Sequence, residues 1–203
     1  MTAVATTELE AINIMLAAIG EAPINSLSGT LPVDVRVAQN TLTETNKEVQ
    51  SEGWSFNTEI DVVLTKDNST NQIALANTTI RVDPNVHDHP DVDAIQIGLK
   101  LYDRKKHTYE FSESLTGTVV YYRPFTDIPE PARRYILVKA ARVFVDRLVG
   151  DQGLRTFTQQ DEIQARSVLM ETDLANADHN LLRGDPSLTS VFSTYSPANA
   201  LIR

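Results

Sequence analysis

Gln50-Ser51-Glu52-Gly53-Trp54-Ser55-Phe56-Asn57-Thr58-Glu59-Ile60-Asp61-Val62-Val63-Leu64 is the stretch in which the chain changes its period. Upstream of it, Val35, Ala38, Leu42 and Val49 recur at the spacing of one helical face. Gly53 stands where such a helix takes its C-terminal cap. Downstream, Trp54, Phe56, Thr58, Ile60, Val62 and Leu64 alternate with Ser55, Asn57, Glu59, Asp61, Val63 and Thr65, the mark of a half-buried strand. A helix hands over to a strand with almost no connecting loop.

Working outward, residues 1–53 predict two helices. Thr7 with Glu10 reads as a capping box ahead of Leu9, Ile12, Leu16 and Ile19, and Gly20 with Pro23 stops that helix. Asp34 is the expected N-cap of the second. Residues 54–124 read as a small antiparallel β domain of five or six strands. Beyond the first strand its segments are Ile73–Leu75, Thr79–Val82, the alternating Ile95-Ile97-Leu99-Leu101, Thr108–Phe111 and Thr118–Tyr122. At Phe125 the helical period returns. Asp127 with Glu130 is a second capping-box pattern, and Ile136, Ala140, Val143 and Phe144 share a face, with Leu148 behind and Gly150 as the stop. A fourth helix is predicted over about 154–182, ended by Gly184 and Pro186, with residues 185–203 as an arm. The expected fold class is α+β. A four-helix bundle forms from both chain ends, 1–53 and 125–184, because each amphipathic helix must bury its stripe, and the β domain 54–124 is inserted between them.

Composition narrows the function classes. The 203 residues are 41% hydrophobic and 22% charged, as in a globular protein and too apolar for disorder. Lys and Arg number 18 against 27 Asp and Glu, a net charge of −9, which argues against a nucleic-acid-binding surface over the whole protein. There is no cysteine, so disulfides, thiolate metal sites and a cysteine nucleophile are excluded together. No apolar run is long enough for a membrane anchor, and the first cation is Arg36, leaving the N-terminus without the positive region of a signal peptide. The expectation is a soluble protein that folds in a reducing cytoplasm.

No residue pattern signals an enzyme or a cofactor. His87-Asp88-His89-Pro90-Asp91-Val92-Asp93 is the densest polar cluster, but ligands this local need a distant third group, and a solvated loop is the plainer reading. Glu59 and Asp61 fall on one face of the expected strand, its polar one. Asp161 and Glu162 point about 100° apart on a helix, poorly placed to share a substrate. No nucleophile elbow, P-loop or dinucleotide fingerprint appears. The third helix carries Arg133, Arg134, Lys139, Arg142 and Arg147 spread around its circumference, where a groove-reading helix would line them up. Residues 1–53 hold seven acids and two bases, so ion pairing within or between subunits is expected of those cations. Trp54 is the only tryptophan, either junction packing or an exposed anchor.

Several blocks together resemble one family, tail tubular protein A, the head-to-tail adaptor of short-tailed phages of the T-seven group. The opening block is Leu9-x-x-Ile12-Asn13-x-Met15-Leu16-x-x-Ile19-Gly20-Glu21-x-Pro23, followed by Leu27. The most specific is Val49-Gln50-Ser51-Glu52-Gly53-Trp54-Ser55-Phe56-Asn57-Thr58-Glu59. Tyr122-Arg123-Pro124-Phe125-x-Asp127-Ile128-Pro129 leads into Tyr135-Ile136 and Ala140-Ala141-Arg142-Val143-Phe144. Arg147, Gly150-Asp151, Asp161-Glu162 and Ala165 complete the series.

The resemblance implies a helical bundle with an inserted β domain and a structural role in the virion tail after assembly in the host cytoplasm. It implies a homo-oligomeric, usually dodecameric ring between the portal protein and the tail nozzle protein (tail tubular protein B). Genomic DNA would pass through the lumen without specific binding, and a tail fibre would attach near the junction. No catalytic residue and no cofactor come with it. Trp54, Phe56, Arg134, Arg142, Phe192 and Tyr195 are the expected interface residues: the cations for alternating-charge contacts around a ring, the last two for an arm that docks on a neighbour or the portal. The competing class is a glycan-hydrolysing or carbohydrate-binding tail-associated protein.

Overall fold

A computed structural model describes residues 5–85, 88–148 and 159–176. The fold is α+β. In chain order, helices α1 (Glu8–Ala17) and α2 (Val33–Ser51) precede strands β1 (Thr58–Leu64), β2 (Thr79–Pro84), β3 (Ala94–Ile97), β4 (Lys100–Asp103) and β5 (Leu115–Tyr121). A 3-10 turn at Phe125–Asp127 then leads into helices α3 (Glu130–Leu148) and α4 (Gln159–Asn176).

The capping box at the first helix forms as its residues predict. The Thr7 hydroxyl accepts the Glu10 N–H at 3.2 Å, and the Glu10 carboxylate accepts the Thr7 N–H at 2.8 Å. Asn13 then clamps the following turn, donating to Ile24 O at 3.0 Å and accepting from Ile24 N at 2.8 Å. The second helix starts two residues earlier than expected. Pro32 is its N-cap, and Asp34 lies inside the first turn, where its charge still faces the helix dipole. Gly53 follows the end of α2 with φ +82, the left-handed conformation a glycine takes at low cost.

At the third helix the second capping box does not form. Asp127 is held in the 3-10 turn, and Glu130 instead accepts from Thr6, through its N–H at 2.8 Å and its hydroxyl at 2.5 Å. That tie fastens the N-terminal segment to the start of α3. All four helices contribute to one apolar cluster, from Ile12 and Met15 through Leu42 and Val49 to Tyr135, Phe144 and Leu169.

The β region has its own cluster, around Leu64, Ile73, Val82, Leu101, Phe111, Leu115 and Val119. Its five strands form two antiparallel sheets, β1-β5-β2 and the hairpin β3-β4. Three sequence expectations change here. The first strand begins at Thr58, because residues 54–57 close a turn in which Asn57 N–H donates to Trp54 O at 3.1 Å. Ile95 to Leu101 is a hairpin, since Gly98 adopts φ +62 and turns the chain between Ile97 and Lys100. Residues 73–75 and 108–111 make only isolated bridges and local bonds to neighbouring strands.

A bulge overturns part of the alternation in β1. Asp61 takes φ 56, and the register with β5 slips between Glu59 and Val62. Ile60 is therefore 66% exposed instead of facing inward, and Glu59 and Asp61 lose the flat alternation that would align their carboxylates. Further along, Val143 is half-buried on its helix and Leu148 exposed. Of the predicted fourth helix, 159–176 is helical; residues 154–158 and 177–182, the stops at Gly150, Gly184 and Pro186, and the arm 185–203 lie outside the described residues.

Candidate functional site

The helix-to-strand handover is a joint where α2, β1, the end of β5 and α4 converge. Gln50 is fully buried on the inner face of α2. Its Nε2 donates to Arg123 O and to Asn46 Oδ1, both at 2.8 Å, and its Oε1 accepts the Arg123 N–H at 2.8 Å. Asn57, also buried, accepts from Trp54 N at 2.8 Å and donates to Gln50 O at 2.9 Å and Tyr121 O at 3.0 Å. These two amides tie α2 to the turn before β1 and to the end of β5 and the segment after it. Buried polar side chains placed this way fix one geometry, because any slip would orphan several groups at once.

Trp54 is 7% exposed, and its indole N–H donates to Val49 O at 2.8 Å. The Arg166 guanidinium of α4 lies over its ring at 5.9 Å and over Tyr135 at 5.8 Å. Arg166 also pairs with Glu52 at 2.7 Å and donates to the Tyr135 hydroxyl at 3.1 Å. Those bonds, Glu52 first, raise its pKa further and keep it a cation. Asp173, about two turns further along the same face of α4, accepts from Ser55 N at 2.8 Å and Ser55 Oγ at 2.5 Å. Phe56 is half-buried against the helical cluster, and its carbonyl accepts from Arg123 Nε at 3.0 Å.

The remaining interface expectations are placed as follows. Arg142 pairs within the chain, with Glu162 of α4 at 2.6 Å and Asp146 at 3.4 Å. Lys139 and Arg147 reach Glu48 and Glu44 of α2 at 3.0 and 2.8 Å, and Arg133 donates to the carbonyls of Thr6, Thr126 and Ile128. Arg134 is exposed, and among the described residues no carboxylate lies within ion-pair distance of it. Phe192 and Tyr195 lie outside the described residues.

The polar loop has a structural occupation. His89 Nε2 accepts the Thr116 N–H at 3.1 Å and its Nδ1 meets Glu113 at 3.2 Å, so both ring nitrogens are committed to holding the loop against β5. His87 lies outside the described residues, and among those described no group of three His, Asp or Glu could hold a metal ion. Glu59 pairs with Arg123 at 3.3 Å, and Glu162 is taken by Arg142.

Reading residues alone misses Arg166, Asp173 and Arg123 as parts of the joint, since Glu52, Ser55 and Phe56, the partners that bring them there, lie more than 60 positions away. Gln50 and Asn57 do carry a signal, as amides standing between apolar positions at the period change.

Groups that converge here bond to backbone and to each other, which is the construction of a structural building block. The chain belongs to the tail tubular protein family, whose model matches residues 9–179. It is thus a structural protein of the bacteriophage tail, found in the virion as part of the tail assembly. A search of curated proteins returned no match. No helix among the described residues is long and apolar enough to cross a membrane.

Proposed function

We propose that the chain is the head-to-tail adaptor of a short-tailed phage, a tail tubular protein A of the T-seven group. Its copies form a dodecameric ring between the portal protein and the nozzle protein, tail tubular protein B. The genome passes through the lumen without specific binding, and a tail fibre attaches near the nozzle junction. The ring subunit is assembled in the host cytoplasm. In this reading 1–53 and 125–184 form one four-helix bundle, 54–124 is an inserted β domain and 185–203 is an arm.

The observation that carries the proposal is the joint. The block from Val49 to Glu59, on which the resemblance to the adaptor rests most, is the block whose amides and indole tie helices to sheet. A second feature supports assembly by copies. Arg134 is exposed without an ion-pair partner among the described residues, while Ile163, Met170 and Leu174 expose an apolar stripe on α4. A closed ring needs two different faces per subunit.

Size-exclusion chromatography with light scattering and negative-stain imaging tests it. The expected result is a closed ring with a central hole, formed alone or on addition of portal rings. Failure to form a ring and failure to bind portal would overturn the adaptor reading. Arg134→Glu should weaken assembly without unfolding the chain, whereas Arg142→Glu should also loosen α3 from α4.

A further inference from the structure

The four helices are not fastened alike. α2 and α3 are each 19 residues long and bury eight and nine residues, whereas α4, 18 residues long, buries only Leu169. Ala165 is half-buried against the same apolar cluster. The other large apolar side chains of α4, Ile163, Val168, Met170 and Leu174, are 47–59% exposed. Apolar burial stabilises in proportion to the area removed from water, so it holds α2 and α3 far more firmly than α4.

Polar contacts take its place. Among the described residues, three clasps hold α4. Glu162 pairs with Arg142 at 2.6 Å, Arg166 pairs with Glu52 at 2.7 Å, and Asp173 accepts from Ser55 N at 2.8 Å and Ser55 Oγ at 2.5 Å. At 100° per residue, positions 162, 166 and 173 fall within about 40° of one another, so the clasps line one face over about 16 Å of helix. Both ion pairs stay partly open to solvent, with side-chain exposures of 25% and 16% at Arg142 and Glu162 and of 42% and 33% at Arg166 and Glu52. Dissolved salt therefore reaches and screens them. The helix is also loosened from within. The hydroxyls of Ser167 and Thr172 donate to the carbonyls four residues back, Ile163 O at 2.9 Å and Val168 O at 2.8 Å.

We propose that α4 is a latch set by charge. It opens from α3 and from the joint as one unit while α1, α2, α3 and the sheets stay folded, and the clasps determine how often it does so. Segments with little apolar burial open in this way, below the free energy of global unfolding. Opening uncovers Leu169 and, beneath Arg166, the ring faces of Trp54 and Tyr135. The open subunit thus offers an apolar surface that the closed one hides. The inference concerns the single subunit and does not depend on the ring reading.

Hydrogen–deuterium exchange on the full chain, followed by mass spectrometry over peptides of α2, α3 and α4, tests it at about 0.05 M and about 1 M sodium chloride. The α2–α3 pairs, Lys139 with Glu48 and Arg147 with Glu44, are the internal control, since screening them leaves the buried rows of those helices in place. The expected result is that amides 163–173 exchange together, about tenfold or more faster than the slowest amides of α2 and α3. High salt should speed them about threefold further and change α2 and α3 by less than about twofold. Glu52→Gln with Glu162→Gln, which keeps shape and removes both carboxylate charges, should speed α4 to a similar degree at low salt and blunt its salt response. Exchange in α4 as slow as in α2, exchange graded inward from the helix ends, or a rate indifferent to salt would each overturn the latch. An unchanged α4 rate in the folded double variant would overturn it as well.

Discussion

Gln50 and Arg123 hold each other as two strands would: the Gln50 side chain accepts the Arg123 N–H and donates back to the Arg123 carbonyl, each at 2.8 Å. A helix side chain here completes the backbone bonding of the segment after β5. Gln50→Leu keeps the volume and orphans both groups, at about 1–3 kcal/mol each. The expected loss is about 2–5 kcal/mol, read as a lower urea midpoint at unchanged slope.

Arg166 links four groups, so its neutral replacement reports on all of them. Arg166→Met should cost about 1–2 kcal/mol through the lost ion pair and ring contacts. The fluorescence of Trp54, the only tryptophan, should change with it. Arg166→Lys should recover less than half, because an ammonium cannot bridge Glu52 and Tyr135 in one fork.

Gly117 and Gly29 make a controlled pair. A Cβ at Gly117 would lie 2.7 Å from Asp83 O and 2.9 Å from Pro84 Cα, both backbone atoms of the neighbouring strand. Gly117→Ala should cost about 1–3 kcal/mol and speed amide exchange in β2. Gly29→Ala meets open space and carries only the strain of φ +89, about 1–2 kcal/mol, with no effect on the sheet.

Tyr121 sets an alkaline limit. Burial, then the nearby Glu59 carboxylate, pushes its phenol above the ordinary value, and Arg123 opposes the rise. The folded state thus favours the neutral ring. Its contribution is fully present below pH of about 10 and is lost as pH climbs from there through the raised value. Stability should fall over that range, and Glu59→Gln should narrow it, as followed by ultraviolet titration against unfolding.

Glu10 sets an acid limit. Bonds from the Thr7 backbone and then its hydroxyl hold the Glu10 carboxyl below its ordinary value. The stabilisation is present above the ordinary range and disappears as pH falls through the lowered value. The stability difference between the native chain and Glu10→Gln should therefore be largest near neutrality and shrink on acidification.

What the residues disclosed beforehand follows their range of action. The Thr7 box and the Gly53 cap involve neighbours a few positions apart, so local chemistry decides them. The expected box at Asp127 failed because Thr6, 124 positions away, occupies Glu130. The buried face of β1 misled at Ile60 because a single left-handed Asp61 shifts the alternation, a conformation that aspartate tolerates better than most residues but does not dictate. Arg166 and Trp54 lie 112 positions apart, and nothing in either neighbourhood announces the contact.

Asn57 O accepts the Tyr121 N–H at 2.8 Å, so the points where the chain leaves the helices and returns to them are one hydrogen bond apart. Everything between them is, in effect, a cassette on a shared pair of posts. The intervening 63 residues, 58–120, could be exchanged for another hairpin-ended unit, or for a short turn, while the helical cluster keeps its anchors. Such a layout lets the sheet region diversify at little cost to the helical cluster that carries it.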